Sequence, residues 1–259
     1  MNLLERCAED RRVFELAMTA VGAGGRESIA RSEWRSTGNL IRHSVGRFLG
    51  RGLDKDGERR LKFLDVGFGV GRGVHYVVDF LAVPQETVHG IEMFQDHVEK
   101  AAKRWPEGHF KVMPPTEKGL ADALDRWRKG GQWFDLILLR NVIQFQERPR
   151  DLLRRLSAML PEGRLLAVVV PKGAGIYETS AVSSPELDWD SQGVDETGVK
   201  AGSAIQGATA RLPHKKFRWR GGLGPMFKEV GLEVVDMGHR TLNAAHQTKE
   251  SYAICRRVP

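Results

Sequence analysis

The sequence is poor in several things at once. It has two cysteines and three tyrosines among 259 residues. Cys7 and Cys255 stand at opposite ends of the chain, which suits two reduced thiols better than a disulfide scaffold. No Cys/His cluster has the spacing of a zinc site, so no metal is expected. Long apolar runs are missing too. LLAVVV at 165–170 is among the longest, far short of the roughly 20 residues that cross a bilayer. The opening segment MNLLERCAEDRRVFELAM mixes acids and bases with its apolar residues, unlike the unbroken apolar core of a signal peptide. The expectation is a cytoplasmic protein with no membrane partner. An acidic excess is also absent: the net charge is +7, with most bases interleaved with acids. The one dense basic cluster, HKKFRWR at 214–220, alternates bases with Phe217 and Trp219, as single-stranded nucleic-acid grooves do. It reads first as a solvated edge, with an anionic small molecule, a peptide or RNA as alternatives.

What is present is an ordinary globular composition, 41% hydrophobic and 28% charged. Strand and helix patterns alternate from residue 61 onward, which predicts a mostly parallel sheet covered by helices on both faces. The expected strands are LKFLDV at 61–66, TVHGIE at 87–92, HFKVM at 109–113, FDLILL at 134–139 and RLLAVVV at 164–170. The expected helices between them are 72–82, 95–105, 117–129 and 149–160. A helix within 223–231 and strands at 232–238 and 251–257 follow, ending in an antiparallel pair. Two stretches stand outside this rhythm. Residues 1–56 read as an N-terminal helical lid. Residues 173–215, rich in Gly, Ser, Ala and Thr, read as a cap inserted after strand five. The core is then 57–172, completed by 216–259.

The most informative segment is LKFLDVGFGVGRGVHYV, with glycines at 67, 69, 71 and 73. Backbone without Cβ lets a ligand approach and lets the chain take positive φ. The turn leads into a helix N-terminus at the carboxyl end of a strand, where open α/β sheets bind ligands. A nucleotide-like cofactor follows. The dinucleotide fingerprint G-x-G-x-x-G fails, since Arg72 and Val74 occupy the sixth position counted from Gly67 and Gly69. A P-loop fails for want of G-K-[ST]. Glu92, ending the second strand, can accept hydrogen bonds from a ribose diol.

These segments together resemble the class I S-adenosylmethionine-dependent methyltransferases. LDVGFGVGRG resembles that family's glycine motif and GIE at 90–92 its second motif. FDLILLRNVIQF at 134–145 with PEGRLLAVVV resembles its fourth and fifth motifs, and EVGLEVVDMG the helix and strand before the last strand. The resemblance implies a Rossmann-like sheet of seven strands with the last antiparallel. It implies S-adenosylmethionine as cofactor and S-adenosylhomocysteine as product. The backbone at Gly67, Phe68, Gly69 and Gly71 would approach the cofactor's amino-acid part. Asp65 would orient the loop or accept from the ammonium group. Glu92 would hold the ribose hydroxyls, Met93 would pack on adenine, and Arg140 with Asn141 would line the methionine end. After strand three the family often places an acid for the adenine amine, whereas Met113 and Pro114 stand here.

Signatures for the acceptor are sparse. Arg140-Asn141-Val142-Ile143 replaces the Asn/Asp-Pro-Pro-Tyr run of amino-group methylation, and no Pro-Cys motif of cytosine C5 chemistry occurs. Arg140 could pair with an acidic substrate, and Gln144, three residues after Asn141, could share its face. His43 in the N-terminal segment is a candidate base, and Tyr177 and Glu178, at the start of the insert, are candidate catalytic groups. His75, Asp188 and Trp189 are weaker candidates. The expected substrate is a small molecule or peptide, with specialised-metabolite biosynthesis as the setting. RNA or protein methylation and a non-catalytic binding module are the alternatives. Monomer and homodimer both remain open.

Overall fold

The computed structural model describes residues 37–49, 61–113, 117–143, 146, 148–172, 223–243 and 248–259. Seven strands form one sheet: β1 (Phe63–Val66), β2 (Val88–Glu92), β3 (His109–Val112), β4 (Leu136–Arg140), β5 (Leu165–Lys172), β6 (Leu232–Asn243) and β7 (Thr248–Arg257). Their order is β3-β2-β1-β4-β5-β7-β6. Pairing is parallel from β3 to β5, and β7 runs antiparallel to both β5 and β6. This is the expected Rossmann-like arrangement. The chain moves outward from β1 to β3, then restarts at β4 on the other side of β1. The carboxyl ends of β1 and β4 therefore flank the switch point, where such sheets open a ligand crevice.

Every residue of β1 and β2 is buried, as is β4 up to Arg140. Central parallel strands are covered on both faces, so they read as apolar runs without alternation. β3, at the sheet edge, is largely exposed. One face carries Leu64, Val66, Ile137, Leu139, Val168 and Ala253. It is covered by α4 (Glu117–Lys129), α5 (Pro149–Ser157) and α6 (Gly224–Glu229). The opposite face carries Phe63, Leu136, Leu138, Ala167, Val169 and Ile254. It is covered by α1, α2 and α3. Here α1 spans 37–49, its second half (Ser44–Leu49) wound as a wider π-type turn. α2 is Arg72–His75 continued in the same way by Tyr76–Phe80, and α3 is Gln95–Arg104.

Within the predicted N-terminal lid, 37–49 is the described part. It lies flat on the sheet, with Leu40, Ile41 and Val45 buried in the core of that face. Gly38 meets the ring of Tyr76, so α1 and α2 are in direct contact. The apolar spacing Leu40, Ile41, Val45 is the i, i+1, i+5 stripe of a helix that covers a core. The insert at 173–215 lies outside the described residues.

Candidate functional site: the glycine turn and the ends of β1, β2 and β4

β1 ends at Val66, and the chain turns sharply to reach α2. The turn is tied to β2 by its own backbone: the N–H groups of Gly67 and Phe68 both donate to the Ile91 carbonyl, at 2.8 and 3.3 Å. The four glycines do different jobs. Gly69 has φ 56°, and a Cβ placed there meets nothing within 4 Å. Its missing side chain leaves open space above the turn. Gly73 is the contrary case, because a Cβ there would collide with the Asp65 carboxylate and the Leu138 side chain. Gly67 and Gly71 rest against Val142 and the Trp105 ring. Gly69 thus leaves its face of the turn open, while Gly67, Gly71 and Gly73 are set by packing against their neighbours, the first two at positive φ as well.

Glu92, 4% exposed, closes the turn from the side. Its Oε2 accepts from the Gly69 N–H at 2.7 Å, and its Oε1 accepts from the N–H groups of Met93 and Phe94 at 2.8 and 3.2 Å. A carboxylate has about four acceptor positions, so three backbone donors leave it one for a ligand. The carboxylate expected to hold a ribose therefore also builds the turn.

Asp65, 2% exposed, lies beneath the turn against Gly73. Burial pushes its carboxyl up to about 7; the Arg140 charge opposes this and the Glu92 charge adds to it. Arg72 at the start of α2 is lowered to about 10 by burial and by the like charge of Arg140. Arg140, at the end of β4, donates to Glu250 Oε2 at 3.0 Å and to the Thr37 hydroxyl. Asn141 follows with φ 54°, uncommon for a residue with a side chain. Its N–H donates to the Val169 carbonyl at 2.9 Å, while its buried Oδ1 has no hydrogen-bond partner among the described residues. The next residue, Val142, touches Gly67 and brings the β4 turn onto the glycine turn.

Asp65, Gly67, Gly69, Glu92, Arg140 and Asn141 are thus brought together at the switch point. Met93 is half-buried beside Glu92. The Phe68 ring turns away, packing over Gly90 and edge-on to Phe110 with centroids 5.5 Å apart, so only its backbone belongs to the turn. Met113 is buried in the core of the α4 side and offers no side-chain acceptor for an adenine amine.

His43 is placed elsewhere. Its Nε2 is 2.8 Å from Asp236 Oδ2, on β6. Asp65 and Asp236 lie in one register row running through Leu138, Ala167 and Ile254. Four strand spacings of about 4.8 Å separate them by roughly 19 Å. The fold does not bring His43 to the glycine turn. His75 faces Asp79 and Arg104 on the outer side of α2. Gln144, Tyr177, Glu178, Asp188, Trp189 and the 214–220 cluster lie outside the described residues. Sequence reasoning missed Thr37 and Glu250. Neither belongs to a motif, and a single acid at the start of ESYAICRR is the only trace of the second.

Residues 64–165 match the sequence profile of a family described as methyltransferase domain. No curated protein has a significantly similar sequence. Among solved structures, the chain is similar to Burkholderia thailandensis 1,6-didemethyltoxoflavin-N1-methyltransferase, whose structure holds 1,6-didemethyltoxoflavin and S-adenosylhomocysteine. The TM-score is 0.57 at 16% identity, covering 87% of this chain and 78% of that one. The N-methyltransferase NodS from Bradyrhizobium japonicum WM9, in complex with S-adenosylhomocysteine, gives a TM-score of 0.50 at 14% identity, covering 87% of each chain. The (4+2)-cyclase SpnF gives 0.52 at 15% identity, covering 87% of this chain and 81% of that one. Strand order, the glycine turn and the profile match agree: residues 64–165 resemble a methyltransferase domain, and the chain has the fold of the class I S-adenosylmethionine-dependent methyltransferases.

Proposed function

We propose that the protein transfers a methyl group from S-adenosylmethionine to a small-molecule or peptide acceptor, in the biosynthesis of a specialised metabolite in the cytoplasm. The observation that carries the reading is the open space above Gly69, bounded by polar groups suited to this cofactor. The ammonium group needs acceptors, and the buried Asn141 Oδ1 and the Asp65 carboxylate supply them. The ribose diol needs an acceptor, and Glu92 keeps one position for it. Met93 offers an apolar, polarisable surface for adenine. The bound cofactor supplies a methyl group already activated on a sulfonium.

The chain's own contribution is then orientation and exclusion of water. Asp65 accepts from the ammonium only as the carboxylate, so affinity rises with pH through about 7. Arg140 is engaged by Glu250 and Thr37. An anionic acceptor reaches it only by sharing or displacing Glu250. An acceptor that starts protonated needs a base. With His43 held at the β6 edge, Tyr177 and Glu178 are the better candidates, because both come within six residues of the end of β5 in the sequence. The toxoflavin enzyme and NodS are small-scale precedents for methyl transfer on this fold. SpnF is a reminder that a fold does not dictate a reaction.

The test is calorimetric titration with S-adenosylmethionine and S-adenosylhomocysteine, with NAD and NADP as controls. Binding of the first two alone, followed by transfer of isotopically labelled methyl to an acceptor, is the expected result. Binding of NAD in their place, or of none of the four, would overturn it.

A further inference from the structure

Arg140 stands at a fork. Its strand, β4, lies between β1, which carries Asp65, and the β5–β7 pair, which carries Glu250. Asp65 pairs with Leu138, two residues before Arg140. Glu250 pairs with Pro171, two residues beyond the Val169 that pairs with Arg140. Alternate residues of a strand share a face. Asp65, Arg140 and Glu250 therefore project from the same side of the sheet, the side covered by α1. An extended arginine on β4 can turn either way. It turns toward β7, donating to Glu250 Oε2 at 3.0 Å and to the Thr37 hydroxyl at the start of α1. The two side chains of the ion pair are 12% and 3% exposed. A buried ion pair adds little stability over an apolar pair of similar volume, so stability does not account for it.

We propose that Glu250 is a positioning residue for the cofactor site: it draws Arg140 toward β7, near enough to favour an ionised Asp65 and too far to occupy its oxygens. The inference rests on the function proposed above. The groups facing Asp65 are Arg140 from β4, Glu92 from β2 and the uncharged Gly73 from α2. Arg72, also on α2, lies within the field of Arg140. Among the described residues, Arg140 is thus the positive charge that acts on Asp65 against burial and Glu92. Removed, it would leave Asp65 protonated at neutral pH. In direct contact, it would compete with the cofactor ammonium for the same oxygens. Glu250 holds the intermediate arrangement, in which Asp65 ionises near neutrality and remains available.

The full chain, labelled with 13C at aspartate carboxyls, is titrated by NMR without ligand, and the Asp65 signal is assigned with D65N. In Glu250→Gln the released guanidinium turns to Asp65, and its midpoint falls by about one pH unit or more, the scale of an opposite charge within a few ångströms. In Arg140→Met the midpoint rises. At pH 8, E250Q binds S-adenosylhomocysteine at least tenfold more weakly by calorimetry. A merely structural Glu250 would lower stability and move no midpoint. Unmoved midpoints in both variants, or shifts of the same sign, overturn the proposal. If E250Q does not fold, E250D, with its charge on a shorter arm, shifts the midpoint downward by less, and no shift there overturns the proposal. A wild-type protein that binds no S-adenosylhomocysteine sinks the proposed function, while the ligand-free titrations still decide the role of Glu250.

Discussion

Replacing Asp65 by Asn separates the energetics of the empty site from those of the filled one. The folded protein holds the Asp65 proton up to about pH 7, against a reference value of 3.8. Between those values the folded state binds more protons than the unfolded chain, so stability falls as pH rises through that window and is level above it. At 1.36 kcal/mol per unit, a difference of about three units corresponds to roughly 4 kcal/mol. Asn has nearly the same shape and no proton to lose. D65N should therefore be more stable than wild type at pH 8, by up to about 4 kcal/mol, with the gain shrinking toward zero near pH 4. Urea denaturation of both proteins at pH 4.5, 6 and 8 measures this directly. The same variant loses a charge-assisted bond to the cofactor ammonium, so its affinity for S-adenosylhomocysteine at pH 8 should fall by about 1.5–3 kcal/mol, or roughly 10- to 150-fold. A stability difference that does not grow from pH 4.5 to 8 would refute the buried-charge reasoning. Undiminished affinity would remove Asp65 from the ammonium site.

The glycines give a paired test. Gly69→Ala adds a Cβ in open space at φ 56°, so stability drops by about 1–2 kcal/mol and S-adenosylhomocysteine affinity falls at least tenfold. Gly73→Ala drives a Cβ into the Asp65 carboxylate; thermal denaturation should show a loss of about 1–3 kcal/mol or more from overpacking. Glu92→Ala leaves the N–H groups of Gly69, Met93 and Phe94 without their acceptor. Each orphaned donor costs about 1–3 kcal/mol, so chemical denaturation should register a loss of stability as well as of binding. His43→Ala removes a pair whose side chains are 33% and 24% exposed. Stability should change by about 1 kcal/mol at most, with the calorimetric affinity for S-adenosylhomocysteine unchanged.

Much of the architecture was legible in the chain. FLDV, VHGIE and LILLR are unbroken apolar or nearly apolar runs because parallel strands at the centre of a sheet meet helices on both faces. The glycine run, the acid ending β2 and the Arg140-Asn141 step after β4 mark the carboxyl ends of those strands, where a crevice opens at the switch point. The antiparallel tail was legible as a strand–loop–strand pattern. Its strands, Leu232–Asn243 and Thr248–Arg257, run longer than the apolar alternation at 232–238 and 251–257 suggested. Their outer ends pair through the backbone, which side-chain patterning does not report.

The remainder was decided by contacts between residues far apart in the chain. Arg140 meets Glu250 across 110 positions and Thr37 across 103. His43 meets Asp236 across 193, which holds a candidate base at the sheet edge instead of over the crevice. Local propensity carries no information about such pairs, because strand order and register set which side chains share a row. The reason for each glycine was settled in the same way, since only packing shows that Gly73 makes room for Asp65 and that Gly69 faces open space. The sequence by itself determined the parallel core and where its switch point lies, because burial pattern and turn chemistry are local. The tertiary structure alone decided which charges face one another there, because that depends on strands brought together from opposite ends of the chain.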